Sequence, residues 1–180
     1  MVQWKAVFDE LHPVTGATQD ELDAFVASVS VPLTAGEIDE VHANQSNPFS
    51  PSDPLFSSWR PIDARRWRLP DYSLPPSYLE FLRFSNGGSF RIGDRWFDPF
   101  FTTMELRRYM LAYQVPEYLP GVIPFAFDGG GTFYAFDMRS PPVDGEFPVL
   151  MAHAGALFFD DCRAAGASFL EACSRRDLEP

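Results

Sequence analysis

The spacing of apolar positions near the start of the chain predicts two short helices. Apolar residues between Leu22 and Val29 recur at three- and four-residue intervals, which places them on one face of a helix. Residues 18–21 precede them with the Thr-x-x-Glu pattern of a capping box, in which hydroxyl and carboxylate satisfy each other's backbone N–H groups. Residues 34–37 repeat this pattern before Ile38 and predict a second, shorter helix.

Three more helices are predicted farther along the chain. They cover residues 77–85, 102 to about 114, and 168–176. Pro76 fits the first turn of the first of these helices, and Asn86-Gly87-Gly88 fits its end. The other two begin with capping boxes, and the last one ends in Arg175-Arg176, whose charges complement the helix dipole.

Runs rich in β-branched and aromatic residues predict about six strands in the second half of the chain. These runs are residues 89–92, 95–97, 122–127, 132–138, 147–152 and 156–159. Gly93-Asp94 and Asp128-Gly129-Gly130-Gly131 separate successive runs and predict two hairpins. Helices followed by clustered strands and a final helix predict an α+β fold, with a mainly antiparallel or mixed sheet flanked by helices.

Residues 43–76 are predicted to form an ordered, proline-rich insertion within a single domain of residues 1–180. Repeated X-Pro steps exclude regular helix or central strand, because proline fixes φ and lacks a backbone donor. Apolar anchors that a flexible linker would lack are Leu55, Phe56, Trp59, Ile62 and Trp67. A basic cluster expected to pair with the acidic N-terminal helices consists of Arg60, Arg65, Arg66 and Arg68.

The charge of the chain favours a basic partner and argues against nucleic acid. The 180 residues carry a net charge of −11, so a phosphate backbone would be repelled. Residues 1–59 hold nine acidic residues and only Lys5 as a base. The sequence shows neither a leader pattern nor an apolar run that could span a membrane, which predicts a cytoplasmic protein that does not bind membranes. Cys162 and Cys173 are too few for a disulfide scaffold and are expected to be reduced.

No arrangement of residues in the sequence points to catalysis, to a metal or to a cofactor. The three histidines are widely separated, and the sequence has no Walker lysine, zincin helix or nucleophile elbow. Gly129-Gly130-Gly131 could aim N–H groups at a phosphate, but a strand rather than a helix follows it, which favours a hairpin turn. The carboxylates interpreted as solvated or turn-forming groups are Asp98, Asp128, Asp137, Asp160 and Asp161. The chain is therefore predicted not to be an enzyme.

The order and spacing of several motifs resemble the SMI1/KNR4 (SUKH) family. The residues that match its motifs are Leu74, Pro75, Tyr78, Phe81 and Leu82 in a helix, Asn86, Gly87 and Gly88 at the end of that helix, and Pro124, Phe125, Gly129, Gly131, Tyr134 and Asp137 in a hairpin. Residues 168–171 resemble the closing helix of the family, and residues 18–31 resemble its first helix. The proline-rich insertion separates two helices that are nearly adjacent in most members of the family.

The resemblance implies an α+β fold without catalytic residues and, for bacterial members, immunity against toxins delivered by competing cells. The predicted function is neutralisation of a cognate toxin domain, such as a basic nuclease or deaminase, by direct binding as a monomer or weak dimer. The alternatives are a regulatory or scaffold module, as in fungal relatives, and a small-ligand-binding protein. An acidic inhibitor suits a basic toxin because complementary fields speed and orient association. The acids predicted to bind the partner are Asp20, Glu21, Asp23, Glu37, Asp39 and Glu40, with Asp98, Glu117 and Asp128 as the second choice.

Overall fold

The computed structural model describes residues 2–178. In these residues, seven strands form one antiparallel sheet in which strands that follow one another in the chain are paired. The strands are β1 (Glu10–Pro13), β2 (Gly88–Ile92), β3 (Arg95–Phe100), β4 (Val122–Phe127), β5 (Thr132–Asp137), β6 (Val149–His153) and β7 (Arg163–Gly166). The predicted α+β class and both predicted hairpins are confirmed. The sheet has seven strands instead of about six, and its ladders are all antiparallel.

The differences in strand number and position arise where the sequence has no strong strand pattern. β1 was not predicted and lies at the edge of the sheet, where Glu10 pairs with Arg91 of β2. The strand predicted at residues 156–159 is wrong, because Phe159–Asp161 form a 3-10 turn and β7 follows that turn. β7 reads Arg-Ala-Ala-Gly and is a strand because it pairs with β6, a tertiary interaction that overrides its weak propensity.

Across residues 2–178, seven α-helices accompany the sheet. They are α1 (Trp4–Val7), α2 (Gln19–Val29), α3 (Ala35–Ala43), α4 (Pro76–Phe84), α5 (Leu106–Ala112), α6 (Val115–Tyr118) and α7 (Phe169–Ser174). Both capping boxes predicted in the N-terminal third are present, because Thr18 and Thr34 accept hydrogen bonds from the N–H groups of Glu21 and Glu37. α1 was not predicted, and α7 ends at Ser174 instead of at residue 176.

The helix predicted from residue 102 to about 114 is divided in two. Thr102 and Glu105 exchange the hydrogen bonds of a capping box, yet residues 103–105 form a turn and α5 begins at Leu106. Gln114 then adopts a left-handed conformation with φ of 55°, which a right-handed helix interior excludes. α6 is therefore a separate element rather than a continuation of α5.

Aromatic side chains fill the core on both faces of the sheet. Phe133 and Tyr134 are adjacent on β5 and therefore point to opposite faces. On the face of Tyr134, Phe136 of the same strand lies 5.2 Å from Tyr78 of α4, measured between ring centroids. On the other face, Phe133 lies 4.9 Å from Tyr113, which directly follows α5. One face of the sheet is thus covered by α4 and the other by α5.

Side-chain hydrogen bonds tie residues 43–76 to α3 and α6. His42, at the end of α3, accepts a hydrogen bond from the N–H of Ala64 at 3.1 Å. Trp67 donates from its indole N–H to Glu117 of α6 at 2.7 Å. The segment also contains two 3-10 turns, Phe56–Ser58 and Ala64–Arg66. These contacts give the second half of the segment a defined path across α3 and α6.

Two of the five predicted apolar anchors in this segment are wrong. Trp67 is buried, and Trp59 and Ile62 are half-buried, as an anchoring role requires. Leu55 and Phe56, however, are 53% and 39% exposed. They belong to a local turn in which the N–H of Phe56 donates to the carbonyl of Asp53 and the N–H of Trp59 donates to that of Leu55, so the turn is held by bonds to nearby residues.

The predicted pairing of the four arginines with the acidic N-terminal helices is also wrong. Arg65 donates through Nε and Nη2 to both oxygens of Asp63 at 2.6 and 3.1 Å, and Arg66 lies 3.6 Å from the same carboxylate. Arg60 and Arg68 donate to backbone carbonyls of their own segment. Partners two or three residues away can be reached with little loss of chain entropy, so local bonds prevail.

Candidate partner-binding surface

Six of the nine acids predicted to bind a partner accept hydrogen bonds from groups of the same chain. These six are Glu21, Asp23, Glu37, Asp98, Glu117 and Asp128. Within residues 2–178, the exposed side chains of Asp20, Asp39 and Glu40 form no hydrogen bond or ion pair. A carboxylate that is already bound is held in one orientation and partly neutralised, whereas these three keep all of their acceptor sites for a partner. We refer to Asp20, Asp39 and Glu40 as the free acids of α2 and α3.

Arg107 of α5 fixes the position of the two acidic helices. It donates through Nε and Nη2 to both carboxylate oxygens of Glu37 at 2.6 and 3.0 Å. Its Nη1 donates to the carbonyls of Ser28 and Val31, at 3.0 Å each, around the end of α2. The hydrogen bonds from Arg107 are the main reason that the pKa of Glu37 is lowered to about 2. Glu37 therefore braces α3 against α5, and its carboxylate is not free for a partner.

Asp98 and Asp128 come together beside the β4–β5 turn, where an isolated bridge joins their backbones. The carboxylate of Asp128 accepts hydrogen bonds from the N–H groups of Gly130 and Thr132 at 2.7 and 2.8 Å. Partial burial acts to raise the pKa of Asp128, but these bonds outweigh it and lower the pKa. Asp98 accepts a hydrogen bond from the hydroxyl of Ser89. The interpretation of Asp128 as a turn-forming carboxylate is confirmed.

Exposed aromatic residues line a groove that the sequence reasoning missed. It lies between the α5–α6 joint and the loop of residues 154–158 and has a volume of about 450 Å³. Tyr113, Tyr118 and Phe158 stand along it and are 39%, 42% and 59% exposed. We call this feature the aromatic groove, and its main lining residues are Ala112, Tyr113, Gln114, Tyr118, Leu157 and Phe158.

A second depression, the α3–α5 cleft, adjoins the aromatic groove. It has a volume of about 330 Å³ and shares Ala112 and Gln114 with the groove. Glu40 of α3 lines it, and so does Met104, which is 85% exposed. The cleft therefore links one of the free acids to the aromatic groove. Pro116 is the sequence signal that could have revealed the break between α5 and α6 on which this arrangement depends.

The motif residues of α4 and of the stretch before it lie in the core. Tyr78, Phe81 and Leu82 are fully buried, and Leu74 and Pro75 are buried just ahead of the helix. Burial raises the pKa of the Tyr78 hydroxyl, so this group stays neutral. These residues pack the sheet against α4 and present no reacting group to a ligand.

The Asn-Gly-Gly motif shapes the chain between α4 and β2. Gly87 and Gly88 have φ of 110° and 94°, in the region that favours glycine. A Cβ at Gly88 would lie 2.5 Å from the carbonyl oxygen of His12 in β1, so only glycine fits against this strand. The side-chain amide of Asn86 exchanges hydrogen bonds with Thr103 at 2.8 and 3.2 Å.

The hairpin motif serves the same structural purpose. Its buried members are Pro124, Phe125 and Tyr134, and its turn glycines with positive φ are Gly129 and Gly131. Asp137 at the end of β5 accepts hydrogen bonds from the side chain of Arg139 at 2.7 and 2.8 Å, and these bonds lower its pKa. The family motifs therefore define packing and turns, and a partner must be met by other residues.

Metal ligation and membrane crossing find no support in the described part of the chain. Within residues 2–178, no group of three or more His, Cys, Asp or Glu side chains could hold a metal ion. No helix in that same range is long and apolar enough to cross a membrane. The ring nitrogens of His42 and His153 accept backbone N–H bonds instead. Cys162 and Cys173 are both free thiols.

These features define a class of protein, an α+β domain whose antiparallel meander is packed between helices. The model of the SMI1 / KNR4 family (SUKH-1) matches residues 62–171. The chain belongs to the SMI1/KNR4 (SUKH-1) family, as the resemblance predicted. No curated protein sequence matches the chain. Membership of this family supports an immunity-like or protein-interaction role.

The bounds of the match divide the candidate surface. α2 and α3, which carry the free acids, precede residue 62 and lie outside the match. The aromatic groove and most of the α3–α5 cleft come from residues 104–158, inside the match. The candidate surface therefore joins residues inside the matched range to residues outside it.

Proposed function

We propose that this protein neutralises a bacterial toxin by binding the toxin domain directly. Family membership supports the coarser immunity-like or interaction role. The observation that carries the finer proposal is that Asp20, Asp39 and Glu40 are exposed and free on two helices that Arg107 already holds in place. A preorganised acidic face meets a partner without a large ordering cost.

The overall charge supports a basic partner. The chain carries a net charge of −11, and nine of its acids lie in residues 1–59. A toxin that acts on nucleic acid needs a basic substrate groove, and an acidic inhibitor would be steered toward such a groove. The inhibitor would then cover the groove and exclude the substrate, which requires no catalytic residue of its own.

Co-expression tests this proposal most directly. The genes beside this chain's gene are searched for a secreted protein, and the probe is the toxic C-terminal domain that the proposal expects it to carry. We expect the wild-type chain to restore growth of cells that express this domain and to bind the purified domain in a one-to-one complex. Failure of the chain to protect or to bind, or the lack of any such neighbouring toxin, contradicts the proposal. A stable complex with a host signalling or cell-wall protein would then favour the regulatory alternative.

The role of the free acids is tested by association kinetics. The variant replaces all three free acids by their amides, and a control makes the same charge change at exposed acids elsewhere. The substitutions are Asp20→Asn, Asp39→Asn and Glu40→Gln in the variant, and Asp71→Asn, Asp94→Asn and Asp144→Asn in the control. We expect the variant to associate about tenfold more slowly at low salt, and the control less than about threefold, with both differences lost at high salt. Equal slowing in both proteins would place the interface elsewhere.

A further inference from the structure

The aromatic groove and the cleft beside it bring several exposed large apolar side chains together. Among residues 2–178, eleven large apolar side chains are exposed, and four of them border the aromatic groove or the adjoining α3–α5 cleft. These four are Met104, Tyr113, Tyr118 and Phe158. Aromatic residues and methionine are enriched in the centres of protein interfaces, so such a concentration marks a binding surface.

Both sides of the groove are attached to the sheet. The ring of Tyr113 packs edge-on against Phe133 and Phe127, with centroids 4.9 and 5.4 Å apart. The loop on the opposite side is attached to the β4–β5 turn, because the N–H of Ala154 donates to the carbonyl of Gly131 at 2.8 Å. Aromatic side chains that are already positioned bind a partner's side chain without losing much conformational entropy.

Gln114 lines both the aromatic groove and the α3–α5 cleft and has the left-handed backbone conformation described above. Its φ of 55° is rare for a residue other than glycine. This conformation ends α5 and lets α6 begin at once, which brings Tyr118 to the same groove as Tyr113. Unfavourable backbone conformations that the surrounding structure maintains tend to occur at binding sites.

Acidic residues outnumber basic ones around the groove. Glu40 lines the adjoining cleft, and Glu117, Asp160 and Asp161 lie within three residues of groove residues in the sequence. Of the two arginines that line the cleft, Arg107 is paired with Glu37, whereas Arg108 packs its guanidinium 5.2 Å from the ring of Tyr109 and keeps its charge. An aromatic groove in mainly acidic surroundings complements a basic surface that presents an apolar side chain.

A second copy of this chain is a poor occupant of the groove. Each copy carries a net charge of −11, so two acidic rims brought together would repel each other. A basic protein partner fits both the aromatic lining and the acidic surroundings of the groove.

We propose that the aromatic groove is the anchor site for the toxin domain. It takes an aliphatic or aromatic side chain from a basic face of that domain, while Glu40 and neighbouring acids meet the basic residues around it. This inference rests on the proposed function, because the partner is the same toxin domain. It assigns the main binding energy to α5, α6 and residues 154–158, and it assigns steering to the free acids of α2 and α3.

Matched pairs of exposed aromatic residues test the proposal. Phe158→Ala and Tyr118→Ala remove groove residues that are 59% and 42% exposed. Phe56→Ala and Tyr72→Ala are the controls, since these residues are 39% and 37% exposed and lie in the insertion. The probe is the purified toxic domain from the neighbouring gene, and thermal unfolding verifies that all four variants fold. We expect each groove variant to raise Kd about tenfold or more, mainly through faster dissociation, and each control to change Kd less than about twofold.

The possible failures are distinguishable. If the wild-type chain does not bind the toxic domain, the proposed function is wrong and this inference falls with it. If the wild-type chain binds but groove variants and controls bind equally well, only the anchor site is wrong. If the wild-type chain is a dimer in sedimentation and the groove variants are monomers, the groove is occupied by a second copy, which also overturns the proposal.

Discussion

The ion pair between Glu37 and Arg107 gives the sharpest prediction for stability, and Glu37→Gln is the perturbation. Both carboxylate oxygens of Glu37 bind Arg107, at 2.6 and 3.0 Å, and one of them also accepts from the N–H of Thr34 at 2.8 Å. The side chains of Glu37 and Arg107 are only 26% and 14% exposed. Glutamine has one acceptor oxygen and no charge, so it cannot replace the two-pronged, charge-assisted contact.

The pKa of Glu37 sets the expected magnitude. Its pKa is lowered from 4.5 to about 2, mainly by the hydrogen bonds from Arg107. Each unit by which a pKa is lowered corresponds to about 1.4 kcal/mol, which gives a ceiling of about 3 kcal/mol. Water reaches this pair and screens it, so we expect Glu37→Gln to reduce the free energy of unfolding by about 1.5 kcal/mol at pH 7.

The sign of the pH dependence follows from the direction of the pKa change. Because the folded-state pKa lies below the unfolded value, the contribution of Glu37 is complete above about pH 4.5 and is lost as the pH falls toward 2. The difference between wild type and Glu37→Gln should therefore shrink to less than half of its pH 7 value at about pH 3.

Urea unfolding at pH 7 and at pH 3 measures this difference. Glu21→Gln is the matched control, since Glu21 holds the same capping-box position on α2 but has no arginine partner. We expect a clearly smaller loss for Glu21→Gln. Equal losses for the two variants, or a loss at Glu37 that is the same at both pH values, would refute the role assigned to Arg107.

Three further predictions concern other contacts. Trp67→Phe keeps most of the buried ring but removes the hydrogen bond to Glu117. We expect the free energy of unfolding to fall by about 1 kcal/mol and the insertion to be cleaved faster by a protease. Unchanged cleavage would contradict the anchoring role of Trp67. Asp128→Ala leaves two N–H groups of the β4–β5 turn without their acceptor. We expect the free energy of unfolding, measured in denaturant, to fall by about 1–2 kcal/mol. A variant as stable as the wild type would show that the turn does not need the carboxylate. Cys173 is fully buried, and burial raises the pKa of its thiol. A thiol reagent should therefore modify only the half-buried Cys162 in the native protein and both cysteines in denaturant. Rapid labelling of Cys173 in the native protein would contradict its burial.

Elements with local signals could be predicted from the sequence. The capping boxes at Thr18 and Thr34 form because each hydroxyl and carboxylate lies within a few residues of its partner. The β4–β5 hairpin follows from glycines that permit positive φ at Gly129 and Gly131. In each of these cases the interaction that decides the structure is contained in the motif itself.

Elements decided by distant partners could not be predicted in this way. β7 has no residue that favours strands and depends on its pairing with β6. The Arg65 side chain could reach many carboxylates in principle, and only the folded chain reveals that Asp63 holds it. The same applies to Arg107, which joins α2, α3 and α5 by donating to four backbone carbonyls and one carboxylate that lie at least 70 residues earlier in the sequence.

Negative charge in the sequence does not by itself identify which acids are available to bind a partner. Nine acids satisfied the same criterion, yet Glu37 and Glu117 turn out to hold Arg107 and Trp67 in place. The sequence also did not reveal which aromatic residues are exposed. Phe133 and Phe158 both belonged to predicted strands, yet Phe133 is buried and Phe158 is 59% exposed. Binding energy in an interface depends on apolar side chains that become dry, whereas exposed charges mainly set the rate of encounter. Under the proposed function, a partner surface on this chain should combine both kinds of residue, and the two kinds lie together where the aromatic groove adjoins the α3–α5 cleft.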